Sequence, residues 1–197
     1  MKKIYVFPRY SGDENSDWYQ DAKRELGFKD QHINFIPLSF PNWNKPTITE
    51  FLAFIVQAIP EKDLDQNTYF IGHSIGCRAA MIYLNEIHKK KSSFKIGGLL
   101  CVAGWWNVDK PWPQLKKWTD SVLDFKGLQQ ICSNNIVVLL SDNDPFTSNT
   151  MENKSLWEKN LNAKVMIVPN ARHFNENEGF VEIINEISAF TLKLYFL

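Results

Sequence analysis

The chain has 197 residues and balanced charge, 22 Lys+Arg against 22 Asp+Glu, so no global field draws nucleic acid or an anionic membrane to it. A hydrophobic content of 44% with 22% charged residues is that of an ordinary globular protein and argues against disorder. The length suits a single domain, expected over 1–197.

Met1 to Pro8 holds too short an apolar segment for a secretory signal, and no stretch approaches a transmembrane span, which predicts a cytoplasmic protein without a membrane partner. Cys77, Cys101 and Cys132 have no metal-like spacing and are expected as buried free thiols; no metal or cofactor is expected. Lys89, Lys90 and Lys91 read as the cationic end of a helix rather than a nucleic-acid site.

Lys3 to Phe7 is a β-rich run that stops at Pro8 and enters a loop, Pro8 to Asp13. Ser16 to Leu26 follows with helical spacing, closed by Gly27. Ile33 to Pro37 is a second strand, and Thr47-Ile48-Thr49-Glu50 has capping-box spacing at the head of an amphipathic helix that runs to about Ile59. Tyr69 to His73 is the third strand and continues past Ser74 into a helix. Ile96–Val102, Ile136–Leu140 and Lys164–Val168 supply the fourth to sixth strands, and Phe180 to Leu192 a last amphipathic helix. Strands alternating with helices predict an α/β fold: a doubly wound, mostly parallel six-stranded sheet with helices on both faces. In such a sheet the functional loops gather at the carboxyl ends of the strands. With strand order 2-1-3-4-5-6, the loop after strand one lies beside Ser74.

The stretch Gly72-His73-Ser74-Ile75-Gly76, between a strand and a helix, has the form of a nucleophile elbow. A serine hydroxyl attacks only when its oxygen stands clear of its neighbours and within reach of a base. Glycines on either side give that clearance, and the helix N-terminus aims backbone N–H groups at developing negative charge. Of the four histidines, His73 lies inside the elbow, pointing away from Ser74, His88 ends a helix and His32 precedes a strand. His173 follows the sixth strand and is the expected base, in the chain order serine, acid, histidine. The acid belongs after the fifth strand, where Ser141-Asp142-Asn143-Asp144-Pro145-Phe146 offers two carboxylates.

Taken with Arg172-His173-Phe174-Asn175 and Asp17-Trp18-Tyr19, these motifs resemble the small α/β-hydrolase family of retinoblastoma-binding protein nine and the bacterial YdeN-type serine hydrolases. The resemblance covers nearly the whole chain. It implies Ser74 as nucleophile, His173 as base and, because the family's acid immediately precedes Pro-Phe, Asp144 rather than Asp142. Two positions depart from the pattern: Arg9 stands where many hydrolases have glycine, and Arg172 precedes the base where glycine is usual.

An oxyanion hole is expected from the backbone N–H groups of Ile75 and Tyr10, with Arg9 a candidate for a substrate carboxylate. Four of the seven tryptophans fall between Gly104 and Trp118. That segment, about 104–120, reads as a small lid, with Trp105 and Trp106 walling the substrate pocket. The expected activity is cleavage of small carboxylic esters, or of amides or thioesters, through an acyl-enzyme. A non-catalytic α/β-hydrolase scaffold that binds a protein is the alternative.

Overall fold

The computed structural model describes residues 1–192, and residues 193–197 of the expected domain lie outside the described residues. Six apolar runs form β1 (Lys2–Phe7), β2 (Ile33–Pro37), β3 (Thr68–His73), β4 (Gly98–Val102), β5 (Ile136–Ser141) and β6 (Lys164–Val168). They pair in the order β2-β1-β3-β4-β5-β6, every neighbouring pair parallel. Between and after them run α1 (Tyr19–Lys29), α2 (Ile48–Ala58), α3 (Ile75–Lys90), α4 (Lys116–Thr119), α5 (Phe125–Ile131), α6 (Thr150–Leu161) and α7 (Phe180–Leu192).

A parallel sheet is covered on both faces, so its central strands are apolar along their whole length. Every residue of β3, β4 and β5 is buried. Alternation along β3 sends Tyr69 and Ile71 to one face, against Trp18 and Leu26 near and on α1 and Ile183 and Ile187 of α7. Phe70 goes to the other, against Phe51 and Ile55 of α2, Leu84 of α3 and Leu128 of α5. The three cysteines are free and buried within this framework. Among the described residues no helix is long and apolar enough to cross a membrane.

Two elements differ from expectation by more than one residue. The first helix starts at Tyr19 and passes through Gly27 to Lys29. Asp17, at φ 51°, bends the chain just before it, and Leu26, 1% exposed, anchors a last turn in which Gly27 meets only open space. The fourth strand begins at Gly98 because the amide of Ile96 is taken by the carbonyl of Ile131, at 2.8 Å. Thr47 caps the second helix as expected: its Oγ1 accepts from the amide of Glu50 at 3.2 Å, one half of a capping box, and donates to the Glu50 carboxylate at 2.7 Å.

Candidate active site

Ser74 sits at the end of β3 with φ 55° and ψ −121°, a backbone conformation that L residues rarely adopt. Strain of this kind costs about 1–3 kcal/mol and persists only where the surroundings fix it. Here the amide of Ser74 donates to the carbonyl of Val102 at 2.9 Å, and its own carbonyl accepts from Cys77 N at 3.0 Å. The two glycines are steric requirements. A Cβ on Gly72 would lie 2.3 Å from Cys77 Cα, and one on Gly76 would lie 2.1 Å from the carbonyl oxygen of Phe7. The elbow is thus pressed against β1 on one side and its own helix on the other. Ile75 occupies the first position of α3, where helical amides lack intrahelical acceptors.

The loops after β5 and β6 meet beside it. His173 Nδ1 lies 2.8 Å from Asp144 Oδ2, with both side chains 5% exposed. Oδ1 of Asp144 accepts from the amide of Phe146 at 2.9 Å, and the Phe146 ring stands edge-on to the His173 imidazole, centroids 4.5 Å apart. Asp142 turns elsewhere, its Oδ1 accepting from Asn170 N at 2.8 Å.

The segment carrying His173 alternates through the left-handed region at Asn170, Arg172, Phe174 and Glu176, with φ of 57°, 43°, 56° and 51°. Each of those amides is held. Asp142 takes that of Asn170 and Asn143 Oδ1 that of Arg172 at 2.7 Å. The carbonyl of Ala171 takes Phe174 N at 2.8 Å, and Asp17 Oδ1 takes Glu176 N at 3.1 Å. Arg172 itself reaches Glu178 at 3.1 Å.

Ser74, His173, Tyr10, Arg9 and Trp105 all line one cavity of about 260 Å³, together with Val108, Lys110, Trp112, Leu115, Phe146 and Asn175. The first loop is pinned by Trp43, whose indole N–H donates to the carbonyl of Arg9 at 2.7 Å. The Arg9 guanidinium is committed to Asp17, Nε to Oδ2 at 2.7 Å, and to the carbonyl of Tyr10 at 3.1 Å.

Trp106 does not reach the cavity wall, contrary to expectation. Its ring packs on Phe125 and Trp157, centroids 5.3 and 5.1 Å away, with the Arg78 guanidinium 5.9 Å off its face. The reason lies in α6: Asn153 Oδ1 accepts from the amides of both Trp106 and Asn107, which turns the chain inward there. Trp118 is also core, its indole N–H donating to the carbonyl of Pro46 at 3.1 Å. Trp112 lines the cavity instead. It lies 5.2 Å from the Tyr10 ring and 5.8 Å from Phe146, bridging the first loop and the loop after β5.

The span that carries it is fastened at both ends. Asp109 accepts from the amide of Ser148 at 2.9 Å, and Arg78 donates to the carbonyls of Trp118, Thr119 and Ser121 at 3.0, 2.7 and 3.1 Å. Among the described residues no three His, Cys, Asp or Glu side chains converge as a metal site.

The serine hydrolase family model matches residues 4–190. The chain belongs to the serine hydrolase family. Within this family its relatives include YdeN of Bacillus subtilis strain 168, 23% identical over 184 residues that cover 92% of this chain and 90% of YdeN. The crystal structure of the B. subtilis ydeN gene product superposes with a TM-score of 0.80 at 22% identity, covering 96% of this chain and 98% of that one. The same serine hydrolase fold is shared with the type II thioesterase BorB of the borrelidin biosynthetic cluster, TM-score 0.66 at 14% identity over 96% and 92% of the two chains. Est1E of Butyrivibrio proteoclasticus, solved with ferulic acid bound, gives 0.66 at 11% identity over 98% and 90%.

Proposed function

We propose that this serine hydrolase cleaves small carboxylic esters through an acyl-enzyme, with Ser74, His173 and Asp144 as its triad. The observation that carries the reading is the 2.8 Å bond between His173 Nδ1 and Asp144 Oδ2 on the cavity that Ser74 also lines. A carboxylate only accepts, so Nδ1 carries the hydrogen and Nε2 keeps its lone pair for the serine proton. In the first step Ser74 Oγ bonds to the acyl carbon as His173 takes its proton. The tetrahedral oxyanion then collapses, and the alcohol leaves with the proton from His173. Water repeats the sequence on the acyl-enzyme and restores Ser74. The amides of Ile75 and Tyr10 are the proposed oxyanion donors, the first backed by the amino end of α3.

Size and lining support small, apolar acyl groups. A cavity of about 260 Å³ lies below the roughly 300–1,000 Å³ of sites that hold drug-sized ligands. Its walls include the rings of Tyr10, Trp105, Trp112 and Phe146, and proteins that share this fold include a thioesterase and one seen with ferulic acid bound, which keeps thioesters and esters of aromatic acids among the candidate substrates. Arg9 and Arg172, the two departures from the family pattern, are each engaged by a carboxylate, so neither argues for a non-catalytic scaffold. The test is a fluorophosphonate probe followed by peptide mapping. Labelling is expected at Ser74 alone, and Ser74→Ala should abolish hydrolysis of p-nitrophenyl acetate while keeping its circular dichroism. Label elsewhere, or undiminished turnover, would overturn the reading.

A further inference from the structure

Two loops flank Ser74, one carrying Arg9 and Tyr10 and the other His173, and a buried chain of side chains joins them. The amide of Arg9 lies 3.2 Å from Tyr19 Oη, Tyr19 Oη lies 2.8 Å from His73 Nδ1, and His73 Nε2 lies 2.9 Å from the carbonyl oxygen of His173. Chemistry assigns the protons along it. A carbonyl oxygen only accepts, so His73 Nε2 must carry hydrogen. A neutral imidazole has one N–H, which leaves Nδ1 a lone pair, so the Tyr19 hydroxyl must donate to it. The hydroxyl oxygen then accepts from Arg9. Every group is used, and the chain runs in one direction only.

The surroundings favour that neutral tautomer. His73 is fully buried, and burial first, then the neighbouring His173, lowers its pKa to about 4. The nearest carboxylate, Asp17, is 3.8 Å from Nδ1 but already accepts from Arg9 Nε and Glu176 N.

We propose that Tyr19 and His73 are positioning residues for the hydrolytic reaction, tying the loop that carries the base to the loop that carries the Tyr10 amide, with Ser74 between them. The proposal rests on the triad reading above. It accounts for a feature that reading leaves unexplained: four left-handed residues surround His173, and such backbone relaxes unless it is held. Asp142, Asn143 and Asp17 hold amides of that segment, while His73 holds the carbonyl of the base itself. The alternation of β3 explains why His73 can do so. It shares a face with Tyr69 and Ile71 and points at Trp18 and Tyr19, 5.9 Å between ring centroids in both cases.

The test uses the whole protein and three single variants. Tyr19→Phe removes only the hydroxyl and keeps the ring contacts; His73→Leu removes both ring nitrogens; His73→Gln restores an N–H near the place of Nε2. With p-nitrophenyl acetate, Tyr19→Phe and His73→Leu are expected to lower kcat about 10- to 100-fold, the scale of a misplaced catalytic group, with KM within about threefold. His73→Gln should recover much of the loss. Tyr19→Phe added to His73→Leu should cost nothing further, since two links of one chain are not additive. Independently of activity, ¹⁵N spectra should show His73 of the wild type as the Nε2–H tautomer from pH 5.5 to 8. Wild-type kcat in Tyr19→Phe, additive losses in the double variant, or an Nδ1–H tautomer would overturn the proposal. Ser74→Ala run alongside separates the two ideas: turnover surviving there overturns the triad and this proposal together. Turnover lost there but kept in Tyr19→Phe overturns this proposal alone.

Discussion

Asp142 and Asp144 stand two residues apart on one loop and face different partners: Asp144 Oδ2 meets the imidazole of His173 at 2.8 Å, and Asp142 Oδ1 meets the amide of Asn170 at 2.8 Å. One orients a ring and the other fixes the backbone that presents it. Asp144→Asn should lower kcat by about three to four orders of magnitude, because an amide can no longer impose the Nδ1–H tautomer. Asp142→Asn keeps an acceptor oxygen for Asn170 and should cost less than about tenfold, whereas Asp142→Ala, which frees a strained amide, should cost more. Steady-state kinetics on the three variants checks the order, and a larger loss in Asp142→Asn than in Asp144→Asn would reassign the acid.

Acid sensitivity follows from the buried histidine. Burial holds His73 near a pKa of about 4, against 6.5 in an unfolded chain. Between those values the unfolded chain binds more protons than the folded one, so stability rises with pH across the window. The contribution is complete above about pH 6.5 and is lost as pH falls toward 4, for a total of about 3 kcal/mol. His73→Gln does not titrate. The wild type's unfolding free energy in urea, measured relative to this variant, should therefore fall by about that amount between pH 7 and pH 4. A difference that stays constant with pH would show that His73 is not held neutral.

The alternating strands and helices of the parallel sheet were legible because their causes are local, apolar runs of strand length separated by helical periodicity, whereas the strand order, a supposition that the structure meets, rests on pairings between distant segments. The elbow was legible too, since Gly72 and Gly76 are demanded by contacts within one strand-turn-helix unit and its neighbour β1. Gly27 misled because a glycine after a helical run usually ends it, while here the burial of Leu26 carries the helix onward. The roles of Trp106 and Trp112 depended on partners far along the chain, Asn153 and Trp157 for one, Tyr10 and Phe146 for the other. Periodicity carries no signal for such contacts in an irregular segment. The pairing of Tyr19 with His73 spans 54 positions and likewise leaves no local pattern, although both residues stand in motifs that the family resemblance marks.

Those tryptophans give a size rule for the substrate. Trp105 and Trp112 both line the cavity, Trp112 held between Tyr10 and Phe146, while Phe146 in turn packs on His173. The span between Asp109 and Trp118 is tied at both ends, and on the proposed reading it roofs the site, so that the rings of Trp105 and Trp112 set the room for the acyl chain. Acetyl and butyryl aryl esters should therefore be cleaved faster than octanoyl or longer ones. A methylene that does not fit costs about 1–3 kcal/mol, enough for the preference to emerge within a few carbons. Trp112→Ala and Trp105→Ala should move the optimum toward longer chains. Trp112 is 38% exposed, so its loss should leave the melting temperature little changed. Trp106→Ala should do the reverse, lowering the melting temperature through lost packing on Phe125 and Trp157 while leaving the chain-length profile where it was. A series of p-nitrophenyl esters from two to twelve carbons decides between them: if Trp106→Ala shifts the profile and Trp112→Ala does not, the assignment of wall and core is wrong.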